Sequence, residues 1–160
     1  MGYCAAKDEK YFGFKGHIVI TQEGVAKRIS VAAANIDERD VLPEVAEGIK
    51  GDIIADKGLI RPSLTTELAD QGLNLHIPLR KNMHDPRPRS FVNKIMDVRR
   101  KVETVIGQVA DRFHIQTIRA KDTWHLMAKV RRRILAHTVC FFINSPINPH
   151  APLQLENLLP

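Results

Sequence analysis

Residues 51–58, Gly51-Asp52-Ile53-Ile54-Ala55-Asp56-Lys57-Gly58, are the stretch on which the fold turns. The apolar run is too short for a helix and fits a buried, parallel strand that ends at Asp56. A second acid stands in a basic context, Arg99-Arg100-Lys101-Val102-Glu103-Thr104-Val105. Around it Ile95, Val98, Val102, Val105, Ile106, Val109 and Phe113 recur at helical spacing, the best amphipathic pattern in the chain. With Val102 at zero on a helical wheel, the apolar stripe covers about −60° to +40°, Arg99 falls at about +60° and Glu103 at about +100°. Both border the packed face. An acid at a strand end and another on a helix able to pack over it suit a shared divalent ion. The plainer readings are a surface ion pair between Arg99 and Glu103, and Asp56 as the cap of the following turn.

Outward from these two segments, strands and helices alternate. Tyr11 to Thr21 alternates in hydropathy, Gln22-Glu23-Gly24 supplies a turn, and Ala26 to Ala34 resumes an extended pattern, which predicts a β-hairpin. Asn35 caps a helix over about 37–48 with acids in its first turns. A helix over about 63–71 is started by Pro62-Ser63 and stopped by Gly72, and 73–79 reads as another short strand. Residues 80–90 are polar, basic and broken by proline, a mobile loop. A last helix spans about 122–144, with Trp124 among its core residues, and the tail from Ser145 is irregular. No internal repeat is visible. The pattern is that of an α/β layer with helices on a sheet.

At 160 residues the chain fits one domain with a real core. The formal net charge of +6 hides an asymmetry. Residues 1–79 carry 9 Lys/Arg against 12 Asp/Glu, residues 80–133 carry 15 against 5, and the last 27 residues hold only Glu156. A C-terminal half this basic attracts phosphate backbones through counterion release. Arg80, Lys81, Arg87 and Arg89 in the loop, with Arg99 and Arg100 on the helix, are the candidate DNA contacts. Arg131-Arg132-Arg133 reads first as a solvated helix face. Cys4 and Cys140 belong to no metal-ligand cluster, so reduced thiols in a cytosol are the default. His125 and His137 fit no zinc spacing with a Cys pair, and most of the seven histidines read as surface or satisfied core residues. Neither a signal peptide nor a membrane-length apolar run is present, which excludes a membrane partner.

Four blocks in order carry a resemblance: Asp37-Glu38-Arg39-Asp40-Val41-Leu42-Pro43, the strand into Asp56-Lys57-Gly58, Pro78-Leu79-Arg80-Lys81-Asn82-Met83, and Val102-Glu103-Thr104-Val105. Over about Gly2 to Phe142 the chain resembles bacterial insertion-sequence transposases with an Asp-Asp-Glu active site on an RNase H-like fold. The resemblance implies a mixed sheet flanked by helices over residues 1–143, followed by an irregular tail, 144–160. It implies Asp56 as the second acidic ligand and Glu103 as the third, holding Mg2+ or Mn2+. It also implies nicking at the element's terminal repeats and transfer of the 3′-hydroxyl to target DNA, without a covalent protein intermediate. The setting it implies is the bacterial cytoplasm, associated with the nucleoid.

The match departs from the family in one respect. The family's first Asp lies on the first strand, upstream of the segment resembling Gly2-Tyr3-Cys4. Asp8 is the nearest acid, but it precedes the hairpin in a polar stretch instead of ending a buried strand. The expectation is therefore an N-terminally truncated fold, its first strand missing, and a chain inactive as it stands. The rival from another class is a non-catalytic module that binds DNA, or that pairs with full-length transposase and inhibits it. A homodimer is the other assembly open to it. A third reading is a simple RNase H-like nuclease. Joined DNA products separate transposase from nuclease, and metal-dependent nicking separates both from the module.

Overall fold

The computed structural model describes residues 2–4, 8–79, 83–156 and 158, without the side chains of Tyr3, Cys4 and Glu9. Six strands and four α-helices follow in the order β1 (Gly2–Cys4), β2 (Glu9–Tyr11), β3 (Phe14–Ile20), β4 (Ala26–Ala33), α1 (Glu38–Ala46), β5 (Gly51–Ile54), α2 (Pro62–Asp70), β6 (Leu73–His76), α3 (Arg89–Asp111) and α4 (Thr123–Ile147). The α/β class is as expected. The continuous mixed sheet is not: among the described residues the strands pair as three separate two-stranded ladders, β1–β2, β3–β4 and β5–β6. The chain divides into two compact units, residues 1–19 with 28–99, and residues 20–27 with 100–160.

The first unit is organised by leucines. β5 and β6 are parallel, with Ile53 opposite Leu75 and Ile54 opposite His76. A two-residue side-chain period turns Ile53, Leu73 and Leu75 to one face and Asp52, Asn74 and His76 to the other. Leu64 and Leu68 of α2 close over the first face, and Leu42 and Ala46 of α1 join the same cluster. Each fully buried leucine contributes roughly 1.5–3 kcal/mol. The covering is one-sided, which corrects the expectation of a buried β5: Ile53 and Ile54 are half-buried, while Gly51 and Asp52 are exposed. The helix boundaries follow local chemistry. Pro62 opens α2 at a position where a missing N–H is harmless. Gly72 leaves it at φ +80°, a conformation open to glycine. Asp37 caps α1 by accepting the Arg39 N–H at 2.9 Å.

The second half of the 80–90 loop is ordered where mobility was expected. The Asp85 carboxylate accepts Arg87 Nε at 2.7 Å and Nη2 at 2.6 Å, and Arg87 Nη2 also donates to the Ile77 carbonyl at 3.0 Å. The guanidinium stands 6.0 Å from the Phe91 ring centroid. Arg80 and Lys81 lie outside the described residues.

In the second unit the C-terminal turns of α3 run back along α4. Arg133 Nη1 donates to the Phe113 carbonyl at 2.6 Å and to that of His114, closing the end of α3 where His114 turns left-handed. A stripe of Val130, Ile134, His137, Phe141 and Asn144 faces inward from α4. The tail is irregular after Ile147, yet docked. Asn144 Nδ2 donates to the Pro152 and Gln154 carbonyls at 3.0 and 2.8 Å, and Leu155 is fully buried. Pro146 sits inside the last helical turn, where one lost hydrogen bond is tolerable, so α4 outlasts its expected end at residue 144. The hairpin turn belongs to this unit: a Cβ at Gly24, whose φ is +104°, would lie 2.7 Å from Leu153. Trp124, expected in the core, is 74% exposed. It occupies the first turn of α4 and projects about 120° away from Val130.

His137 is fully buried. Its Nε2 lies 2.9 Å from Gln108 Oε1, while Gln108 Nε2 donates to the Leu153 carbonyl, which makes Nε2 the protonated nitrogen. Nδ1 is buried with no partner among the described residues, as is Nε2 of His17. Burial lowers the pKa of both histidines, against a smaller raising influence of Glu38 at His17.

Two outcomes are expected from this packing. Leu155→Ala should cost about 2–5 kcal/mol, read from the shift of the urea midpoint. A depressed folded-state histidine keeps its stability above the unfolded pKa of 6.5 and loses it as pH falls, because only the unfolded chain takes up the proton. Unfolding free energy should therefore decline below about pH 6.5, and His137→Gln should make that decline shallower.

Candidate active site

Asp56 follows β5 by two residues and N-caps the short 3-10 turn Lys57–Leu59, without a side-chain cap bond. It stands at the cap position that the plainer reading offered, but its side chain does not close the turn. Its carboxylate is 66% exposed, and Oδ1 meets Arg99 Nη2 at 2.8 Å. Arg99 projects from α3, so this pair fixes the carboxylate at the strand end against the helix. An exposed pair of this kind contributes at most about 1 kcal/mol, so its value lies in orientation. Sequence alone offered Glu103 as Arg99's partner, four residues on. Spacing within a helix is visible in a linear pattern, whereas a contact between residues 43 positions apart is not.

Glu103 is exposed on α3, one helical turn beyond Arg99, at the polar edge where the wheel placed it. Arg89 begins α3 and is exposed, as is Arg100. Arg87 is different. Its guanidinium is occupied by Asp85 and the Ile77 carbonyl, and this bonding holds the Asp85 carboxyl down to about 2. Through these bonds Arg87, a candidate DNA contact, pins the loop that leads into α3. Asp8, the acid set aside, is exposed in a left-handed turn conformation.

Two groupings were missed. On the open face of the β5–β6 ladder, Asp52 Oδ1 lies 2.9 Å from His76 Nε2 and accepts Asn74 Nδ2 at 3.3 Å. The pairing of β5 with β6 creates this cluster, and a parallel register was the signal that could have found it. The second is an open cleft of about 380 Å3 lined by Lys15, Asn35, Asp37, Glu38, Arg39 and Gly58, the last two residues from Asp56. Asp37 is held well below the usual carboxylate range by the Arg39 side chain and N–H, with Arg61 at 3.7 Å.

Carboxylate oxygens are the right donors for a hard ion such as Mg2+, which takes one or two of them together with waters and substrate phosphate. Asp56 meets that requirement by chemistry and exposure. No group of three or more His, Cys, Asp or Glu able to hold an ion occurs among the described residues. Nor, among them, is any helix long and apolar enough to cross a membrane.

A profile of the transposase DDE domain matches residues 6–123, about three-quarters of the chain, and the chain belongs to that family. Neither curated proteins nor solved structures furnish a match. The family acts in transposition, so DNA is its substrate and divalent metal its usual cofactor. The matched span contains Asp56, Glu103 and every candidate arginine and lysine, and it stops one residue before Trp124.

Removing Arg87 should release Asp85: in Arg87→Ala its carboxyl is expected to titrate near the ordinary 3.8 instead of about 2, followed by NMR. Arg99→Ala should lower stability by less than about 1 kcal/mol in urea unfolding. A loss of several kcal/mol would mean that the pair is a structural strut instead of an orienting contact.

Proposed function

We propose that this chain is the catalytic domain of an insertion-sequence transposase, in which Asp56 and Glu103 hold Mg2+ or Mn2+ against the scissile phosphate. Family membership supports the reaction class, and the Arg99–Asp56 pair carries the assignment of Asp56. Arg99 holds the carboxylate in one orientation at the end of β5, so a ligand oxygen is set before DNA arrives. Glu103 lies one turn along the same continuous helix and presents an exposed carboxylate. When bound, the ion supplies charge neutralisation at the phosphate and activation of the attacking oxygen. Arg80, Lys81, Arg89 and Arg100 are the candidate contacts to backbone phosphates. The domain would take element ends and target DNA in turn, as a homodimer or beside full-length transposase, in the cytoplasm of a bacterium.

The rival is a module that binds DNA, or full-length transposase, without cutting. It is favoured by the lack of a three-acid group among the described residues. One assay separates the two. Supplied with an upstream strand that carries the family's first Asp, and incubated with element-end duplex and plasmid target, the domain is expected to nick and join only when Mg2+ or Mn2+ is present. Asp56→Ala and Glu103→Ala should each reduce joining to background while leaving DNA affinity nearly unchanged. Salt-sensitive binding with no metal-dependent cleavage selects the module, and cleavage that survives both substitutions refutes the ligand assignment.

A further inference from the structure

Trp124 is the chain's single tryptophan, and folding leaves it at the surface. An indole carries roughly 150–250 Å2 of largely apolar area, so its exposure forgoes a large burial gain. Its neighbours hold it there. Asp122 caps α4 by accepting the His125 N–H at 2.8 Å, and its carboxylate also meets His125 Nδ1 at 2.8 Å. The His125 ring so fixed meets the indole edge-on, with centroids 5.1 Å apart and planes at 83°.

The surroundings are cationic. Residues 119–133 hold six Lys/Arg and one acid, Asp122. Two of the cations are committed to structure, Arg133 on the Phe113 and His114 carbonyls and Lys129 on the Arg119 carbonyl at 2.7 Å. Lys121, Arg131 and Arg132 are exposed. Arg131 lies seven residues beyond Trp124, two turns along nearly the same helix face, about 10 Å away along the axis. A flat aromatic face flanked by exposed cations is the arrangement that binds unpaired nucleotides, through stacking on the base and charge on the phosphates.

We propose that the first turns of α4 form a stacking site for an unpaired nucleotide of DNA. The Trp124 indole lies on the base, while Lys121, Arg131 and Arg132 hold the neighbouring phosphates. The proposal rests on the transposase reading for the presence of DNA, but its aromatic member lies beyond the matched span and it uses neither Asp56 nor Glu103. A second copy of the chain is the less suitable occupant, because it would bring the same cations against these.

The lone tryptophan is its own reporter. Titrated at low salt with a short single-stranded oligonucleotide, Trp124 fluorescence should quench, and a blunt duplex of the same sequence should quench it far less. Trp124→Ala should weaken single-strand binding, followed by anisotropy of labelled DNA, about tenfold or more, with Trp124→Phe between the two. Arg131→Ala with Arg132→Ala should lower the salt slope by about 0.7 for each phosphate no longer neutralised. Binding without quenching, or unchanged affinity in Trp124→Ala, overturns the stacking site. So does a concentration-dependent blue shift with doubled mass in the absence of DNA. Asp56-dependent joining measured in parallel distinguishes the outcomes: joining with an unquenched indole removes only the stacking site, while no binding to any DNA removes the transposase reading beneath it.

Discussion

Burial of Leu64, Leu68, Leu73 and Leu75 against one face of a two-stranded parallel ladder is the constraint on which the first unit depends. A pair of strands is marginal in water by itself, and only a helix packed on its apolar side makes it persist. Everything chemical in this unit hangs from that packing. Asp56 has a defined position because Ile53 and Ala55 are held against the leucines, and Asp52 meets His76 because the register places their strands side by side. The polar face of the ladder is the by-product of its apolar one.

Ion pairing then divides the arginines by task. Arg39, Arg61 and Arg87 lock carboxylates close to them in space and hold α1 and the loop before α3 in shape. Arg99 fixes an acid at the strand end. Arg89 sits at an exposed position at the start of α3 and remains suited to a polyanion. A formal charge of +6 therefore overstates what DNA can meet, because part of the positive charge is committed internally.

Local patterns told most of this story in advance. The hairpin turn, the Pro62 start and Gly72 stop of α2, and the amphipathic α3 all follow from residues within a few positions of one another, whereas the cap of α1 expected at Asn35 is Asp37. What stayed hidden was long-range. Arg99 finds Asp56, His137 finds Gln108, and Leu155 enters a core although the proline-rich tail around it reads as irregular. Trp124 misled because a large apolar residue beside Leu126 and Met127 reads as core, whereas its direction from the helix depends on where α4 begins. The single mixed sheet came from the resemblance, and the described strands form three ladders in its place. Asp56 and Glu103 were offered as a pair by their placement and by that resemblance, while each taken alone has an ordinary structural explanation.

The docked tail has an implication for how the protein is made. The second unit closes on Leu153 and Leu155, with the hairpin turn at Gly24 against the former and Gln108 bonded to its carbonyl. During translation, residues 20–27 emerge early and wait for partners more than a hundred positions downstream. Until the ribosome has released the chain through Leu155, that half stays open, with Gln108 and Asn144 lacking the tail carbonyls they bond. A growing polypeptide with such a late closing step is a natural client for holding chaperones, and synthesis stalled just short of Leu155 would leave the most adhesive intermediate.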